Sequence, residues 1–248
     1  MHQRLPPFGV LTVASVAFGL GLLPPGPAPL RARLASAACP EAASDAMAQM
    51  PEDPQMRLTP LRPGTPADSA RAKHFVERMR ELLAKYQDVR IAEADGYKQY
   101  LRDLTLPYYH FTSWRRAIDA MVRFDPARPT SLLYGRDPDG SFHLWGAMYT
   151  APAGMSDDDL DALVPLSLAR WHQHLNWCVP VPTTRNRPPD THAGGPIPGI
   201  STRAGCDSVG GRFRPRLFDW SIHIYAFAGD DPKAIWCVDH QDMKMSGE

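Results

Sequence analysis

Residues 130–150 read TSLLYGRDPDGSFHLWGAMYT. Two runs rich in apolar and aromatic residues, 130–135 and 142–150, flank Asp137-Pro138-Asp139-Gly140, a strong turn signal. This spacing predicts a β-hairpin, and a hairpin makes the sheet antiparallel at its centre. Strict alternation places His143, Trp145, Ala147 and Tyr149 on one face, with Phe142, Leu144, Gly146 and Met148 on the other.

Upstream, Phe75, Met79, Leu82, Leu83 and Tyr86 recur at the spacing of one helical face. They predict a helix over 69–86 capped by Ser69, followed by a short helix from Val89 to Ala94 that stops at Asp95-Gly96. Downstream, Ser156 and three aspartates open another helix, suited to capping and to the helix dipole. Pro165 either starts a second helix or kinks this one, which then runs to Cys178 with Leu160, Val164, Leu168, Trp171 and Leu175 as its apolar stripe. Residues 217–228 alternate as a long strand, with Asp219, Ser221, His223, Tyr225 and Phe227 on one face, and Ala234–Val238 reads as a last strand. The expectation is one α+β domain over 67–248, an antiparallel sheet packed against helices.

The 248 residues balance 27 basic against 27 acidic side chains, which gives no basic footprint for nucleic acid. The 26 prolines are concentrated, twelve in 1–66 and six in 179–200, as linkers and loops would have them. Arg4 followed by the uncharged run FGVLTVASVAFGLGLL at 8–23 reads as a signal peptide over residues 1–37, with Ala35-Ser36-Ala37 as the cleavage site. Cys39 lacks the upstream leucine that favours lipidation. Cleavage removes Arg4, Arg31 and Arg33 and no acid, leaving a mildly acidic chain with no stable membrane span, periplasmic or secreted. Residues 38–66, Pro/Ala-rich and without a period, read as a linker. The four cysteines contain no CxxC. In an oxidising compartment a Cys178–Cys206 bridge closes the Pro/Gly-rich loop, with Cys237 free or paired to Cys39; buried thiols are the alternative.

Reactive chemistry rests on histidine. His110, His143, His172, His174 and His223 sit beside aromatics or inside predicted elements. Imidazole is the commonest metal ligand among side chains, and an exported protein meets copper and zinc. On a helix, His172 and His174 are about 200° apart, so only one faces a given site. His172/Asn176 and His174/Cys178 are then the local pairs that share a side. The predicted site joins His110, His223 and one edge of that helix, His172 first and His174 in reserve. His110 and His223 are expected within roughly 8 Å, since zinc–nitrogen distances are about 2.0–2.1 Å. The reading is an exported protein with a histidine-rich transition-metal site for copper or zinc. The alternatives are a small-molecule enzyme using a histidine pocket for acid–base chemistry, or a non-catalytic envelope module. His74 reads as a surface residue. Arg212, Arg214 and Arg216 alternate as a solvated strand edge, and the tail 239–245, despite its ligand-like residues, as a frayed end. No GxSxG, P-loop, HExxH, dinucleotide or EF-hand pattern is present.

The strings YYHF at 108–111, FDPARPTSLLY at 124–134, GAMYTAP at 146–152, WHQHLNWC at 171–178, GGRF at 210–213 and HIYAF at 223–227, with AEADGY at 92–97, resemble an uncharacterised family of exported bacterial proteins. The resemblance spans roughly 85–230. It implies a single exported domain and singles out His110, His172, His174 and His223, without implying an activity. Looser relatives carry an acid where Met148 stands, so an oxygen ligand open to them is missing here.

Overall fold

The computed structural model describes residues 54–102, 106, 108–181, 197, 199–227 and 229–237. Its centre is the hairpin of β4 (Ser131–Arg136) and β5 (Phe142–Thr150), closed by the Gly140 N–H on the Asp137 carbonyl at 2.8 Å. Gly140 takes φ +85°, a value at which a Cβ would be strained. Around the hairpin lies one eight-stranded antiparallel sheet. On one side β5 pairs β8 (Ser221–Ile224), which meets β6 (His172–Val179), and β6 pairs β1 (Met56–Leu58) at the edge. On the other side β4 pairs β3 (Tyr109–Thr112), which pairs β2 (Lys98–Gln99). Strand β7 (Arg212–Arg216) adds to β6 off this path.

Helix α1 (Pro66–Leu83) covers one face of the sheet, burying Ala72, Val76, Met79 and Leu83. These join Phe111, Leu132, Tyr134, Leu144, Ile222 and Trp171 in the main core. A 3₁₀ turn (Ala84–Gln87) and α2 (Val89–Ala94) follow, the latter at its expected position. The cap of α1 is not Ser69 but Thr65, whose hydroxyl accepts from the Asp68 amide in a reciprocal capping box. Pro66 at the first position is the signal that moves the start upstream. The remaining helices are α3 (Trp114–Ala120), α4 (Asp157–Leu163), α5 (Arg203–Ser208) and α6 (Pro232–Ile235).

Four expectations change. First, the helix over 156–178 stops at Leu163. Val164 is extended at φ −142° and ψ 125°, as a residue before proline prefers, and the chain re-enters as strand β6. Second, Ala234 and Ile235 lie in α6 rather than a strand. Asp231 caps that helix by accepting the Lys233 amide, and Pro232 holds its first turn. The 217–228 strand is correspondingly short, since the Tyr225 N–H leaves the ladder for the Ile235 carbonyl at 2.9 Å. Third, the end of the expected 38–66 linker is part of the fold. Met56, Arg57 and Leu58 pair with His174, Gln173 and His172, and Thr59 is fully buried. Fourth, β5 does not alternate throughout. Leu133 faces Gly146 while Tyr134 faces Leu144, so Trp145 is an extra residue in a β-bulge. Beyond the bulge the faces exchange: Ala147 and Tyr149 join Leu144 under α1, and Met148 joins Trp145 on the opposite face.

The expected Cys178–Cys206 disulfide is present, with Cα atoms 5.3 Å apart, and it ties β6 to α5. Cys237 is disulfide-bonded as well, so it is not free; Cys39, the signal peptide and the rest of the linker lie outside the described residues. A Cβ at Gly211 would collide with the Cys178 sulfur. The bridge spans a sequence separation of 28 residues. Loop-closure entropy then predicts that Cys178→Ser lowers unfolding free energy by about 3–4 kcal/mol, read as a fall in urea midpoint with a slope equal to or steeper than that of the wild type, since the unfolded chain is less constrained. A midpoint that does not move contradicts this.

Candidate metal centre

The face of the sheet turned away from α1 carries the histidines. On β3, Tyr109 and Phe111 enter the main core, so Tyr108 and His110 point to the other side. On β8, Ile222 and Ile224 enter the core, which turns His223 and Tyr225 outward with them. On β6, His172 stands opposite Ser221 and therefore shares the His223 face. Because β6 is a strand, His174 two residues on lies on that face too. The predicted exclusion between the two histidines is thereby overturned. It depended on helical rotation that residues 172–174 do not have.

The four rings are adjacent. His110 Nε2 and His223 Nε2 are 3.3 Å apart, inside the expected distance, with ring centroids at 5.2 Å. The His172 ring lies 5.1 Å from those of both His223 and His174. His172, His174 and His223 are buried and His110 is half-buried. Aromatic rings wall the group. Tyr108 packs on His110 at 5.3 Å and edge-on to His223 at 6.2 Å, with Trp145 and Tyr225 behind it, while Trp177 tilts against His174 at 4.7 Å. The Tyr108 hydroxyl is buried and has no hydrogen-bond partner among the described residues. Such a group is costly to leave unsatisfied.

The other candidates separate from this group. Asn176 sits at φ +54°, a conformation asparagine tolerates better than most residues, and its amide donates to the Pro54 carbonyl at 2.7 Å. It therefore pairs with backbone, not with His172. Cys178 is spent in its disulfide and pairs with no histidine. His143 has both nitrogens engaged: Nδ1 donates to Asp137 Oδ2 at 3.1 Å, and Nε2 accepts from the Trp145 indole. That arrangement orders the hairpin end and leaves no lone pair for chemistry. His74 is exposed on α1. Arg212, Arg214 and Arg216 are exposed along β7, as a solvated edge. His2, His192, His240 and the tail 239–245 lie outside the described residues.

Two methionines also belong to this face: Met148, where looser relatives carry an acid, and Met56, which the sequence reading did not single out. Met148 stands opposite His223, and Met56 stands opposite His174. The signals were the bulge at Trp145-Gly146 and the strand character of 56–58, neither of which shows in hydrophobic periodicity.

No family model matches this chain, and no curated protein or solved structure was found similar to it. Its chemistry is therefore argued from its own geometry. Two Nε2 atoms at 3.3 Å have two ways to coexist. One ring can donate to the other, or both lone pairs can point at one cation. Two ligands about 2.0–2.1 Å from a tetrahedral ion stand roughly 3.3–3.4 Å apart, so the observed separation has the bite of a tetrahedral pair. Among the described residues, no group of three or more His, Cys, Asp or Glu side chains is gathered around a single point as the rings stand.

Proposed function

We propose that the histidine face is a transition-metal site, with His110 and His223 as the core ligands, His172 as the third and His174 in reserve. The observation that carries the reading is the 3.3 Å separation of the two Nε2 atoms, on one face and beside two further imidazoles. The donor set fits copper or zinc, for which neutral imidazole is a good ligand. Aromatic walls enclose the imidazoles, whose neutral form is the one that binds metal. The signal-like amino terminus and the oxidised cysteines support an exported setting, periplasmic or secreted. Binding or buffering a metal ion is the activity this arrangement supports.

The proposal has a pH signature. Each ligand imidazole must lose its proton to bind, and an ordinary imidazole titrates near pH 6.5. With two or three histidine ligands, affinity should fall as pH falls, by up to roughly 10²–10³-fold per pH unit once the ligands take up protons. Competition titration against a chromophoric chelator from pH 7.5 to 5.5 checks this. A flat profile would exclude imidazole ligation. Protein that binds neither copper nor zinc at micromolar concentration would leave an acid–base histidine pocket or a non-catalytic module as the reading.

A further inference from the structure

We infer that this site, read as a metal centre, is selective for copper, and that the thioethers of Met148 and Met56 hold the ion in its cuprous form. The inference rests on the metal reading and adds the identity of the ion.

Directly opposed residues on one face of an antiparallel pair bring their Cβ atoms about 4.5–5.5 Å apart, within reach of a long side chain. Met148 is the cross-strand partner of His223, and Met56 is the cross-strand partner of His174. Met148 packs with Tyr108, Leu133, Trp145 and Tyr225, the same aromatic wall that encloses the histidines. Its position there is produced by the bulge. Without the extra Trp145, Met148 would follow Phe142 and Leu144 into the main core. On β1, the neighbouring Arg57 lies over the Trp220 ring at 5.2 Å, and the alternation of the strand leaves Met56 and Leu58 on the histidine side.

The register thus adds two soft thioether donors to the strands that carry the imidazoles. Thioether sulfur favours cuprous copper, whereas zinc is bound by thiolate, imidazole and carboxylate. The carboxylate at the mouth of β8, Asp219, is committed elsewhere: it accepts from the Gln173 side chain at 2.8 Å and the Trp220 amide at 3.0 Å, and lies 3.7 Å from Arg216. The cysteines that would bind zinc strongly are in disulfides. The claim concerns binding only and includes no electron-transfer step.

The test uses the full exported chain and two probes. Cuprous ion is titrated anaerobically against bicinchoninate, and zinc against a chromophoric chelator, for the wild type, M56L, M148L and the double variant. Leucine keeps volume and apolarity, so the fold should survive, and near-ultraviolet circular dichroism verifies that it does. The expected result is a fall of roughly 10–100-fold in cuprous affinity for the double variant, with zinc affinity unchanged within about threefold. M56L, on an edge strand, gives the same reading should M148L disturb packing. Equal losses for both ions, or no loss for either, overturn thioether selection while leaving a histidine site standing. A wild type that binds neither ion overturns the inference together with the metal reading.

Discussion

Replacing His223 by alanine is expected to lower metal affinity by about 10²-fold or more, because losing a ligand should cost at least as much as losing one of its outer partners. His223 is the hub of the group, in ring contact with His110, His172, Tyr108 and Tyr225. Removing it takes away one ring of the 3.3 Å pair and, on the proposed reading, one metal ligand. Truncating a buried ring also destabilises the fold, by about 1–3 kcal/mol for a side chain of this kind. Binding and stability must therefore be read separately. In wild type, metal at 100 times its dissociation constant raises unfolding free energy by about 2.7 kcal/mol, which appears as a higher thermal midpoint. In His223→Ala, at the same metal concentration, that increment falls to about 0.4 kcal/mol or less, whatever the apo midpoint. His74→Ala, on the exposed surface of α1, keeps the full increment. An increment of wild-type size in His223→Ala would remove His223 from the site.

Gly146→Ala should be among the most damaging small substitutions in the chain. A Cβ at Gly146 would run into the Ile224 carbonyl and sit 2.7 Å from the Tyr225 Cα, both backbone atoms that no rotamer change can move. Relief requires β8 to shift away from β5, at the bulge that sets which face Met148 and Trp145 occupy. Overpacking of this type costs about 1–3 kcal/mol and more where backbone must move, so a loss near 3 kcal/mol or beyond is expected in urea unfolding. Because β8 carries His223, metal affinity should fall with it. A variant with wild-type stability would show that the strand pair is less tightly held than the register implies.

The hairpin over 130–150 was legible because turn chemistry and aromatic runs agree there, and α1 and α2 because their apolar spacing is helical. The eight residues of β6 were not. HQHLNWCV has a helix-compatible pattern, and its strand state comes from non-local pairing with β1, β7 and β8, invisible to any window of sequence. That one element decided the histidine geometry, turning His172 and His174 from opposed residues into neighbours. Local signals for α6 were present in Asp231-Pro232 and lost to the apolar string that follows. The bulge in β5 left a trace only in Gly146, since the approach of the Ile224 carbonyl requires a residue without a Cβ.

The central claim is that the histidines of one sheet face hold a metal ion, and metal content tests it most directly. Wild type and the His110→Ala/His223→Ala double variant are purified without chelators, incubated with copper and zinc at pH 7.5, desalted, and measured by mass spectrometry for metal per chain. The account predicts equimolar metal in the wild type and its loss in the double variant, with both proteins folded by circular dichroism. Wild type that emerges empty, or a double variant that retains as much metal as the wild type, would contradict it.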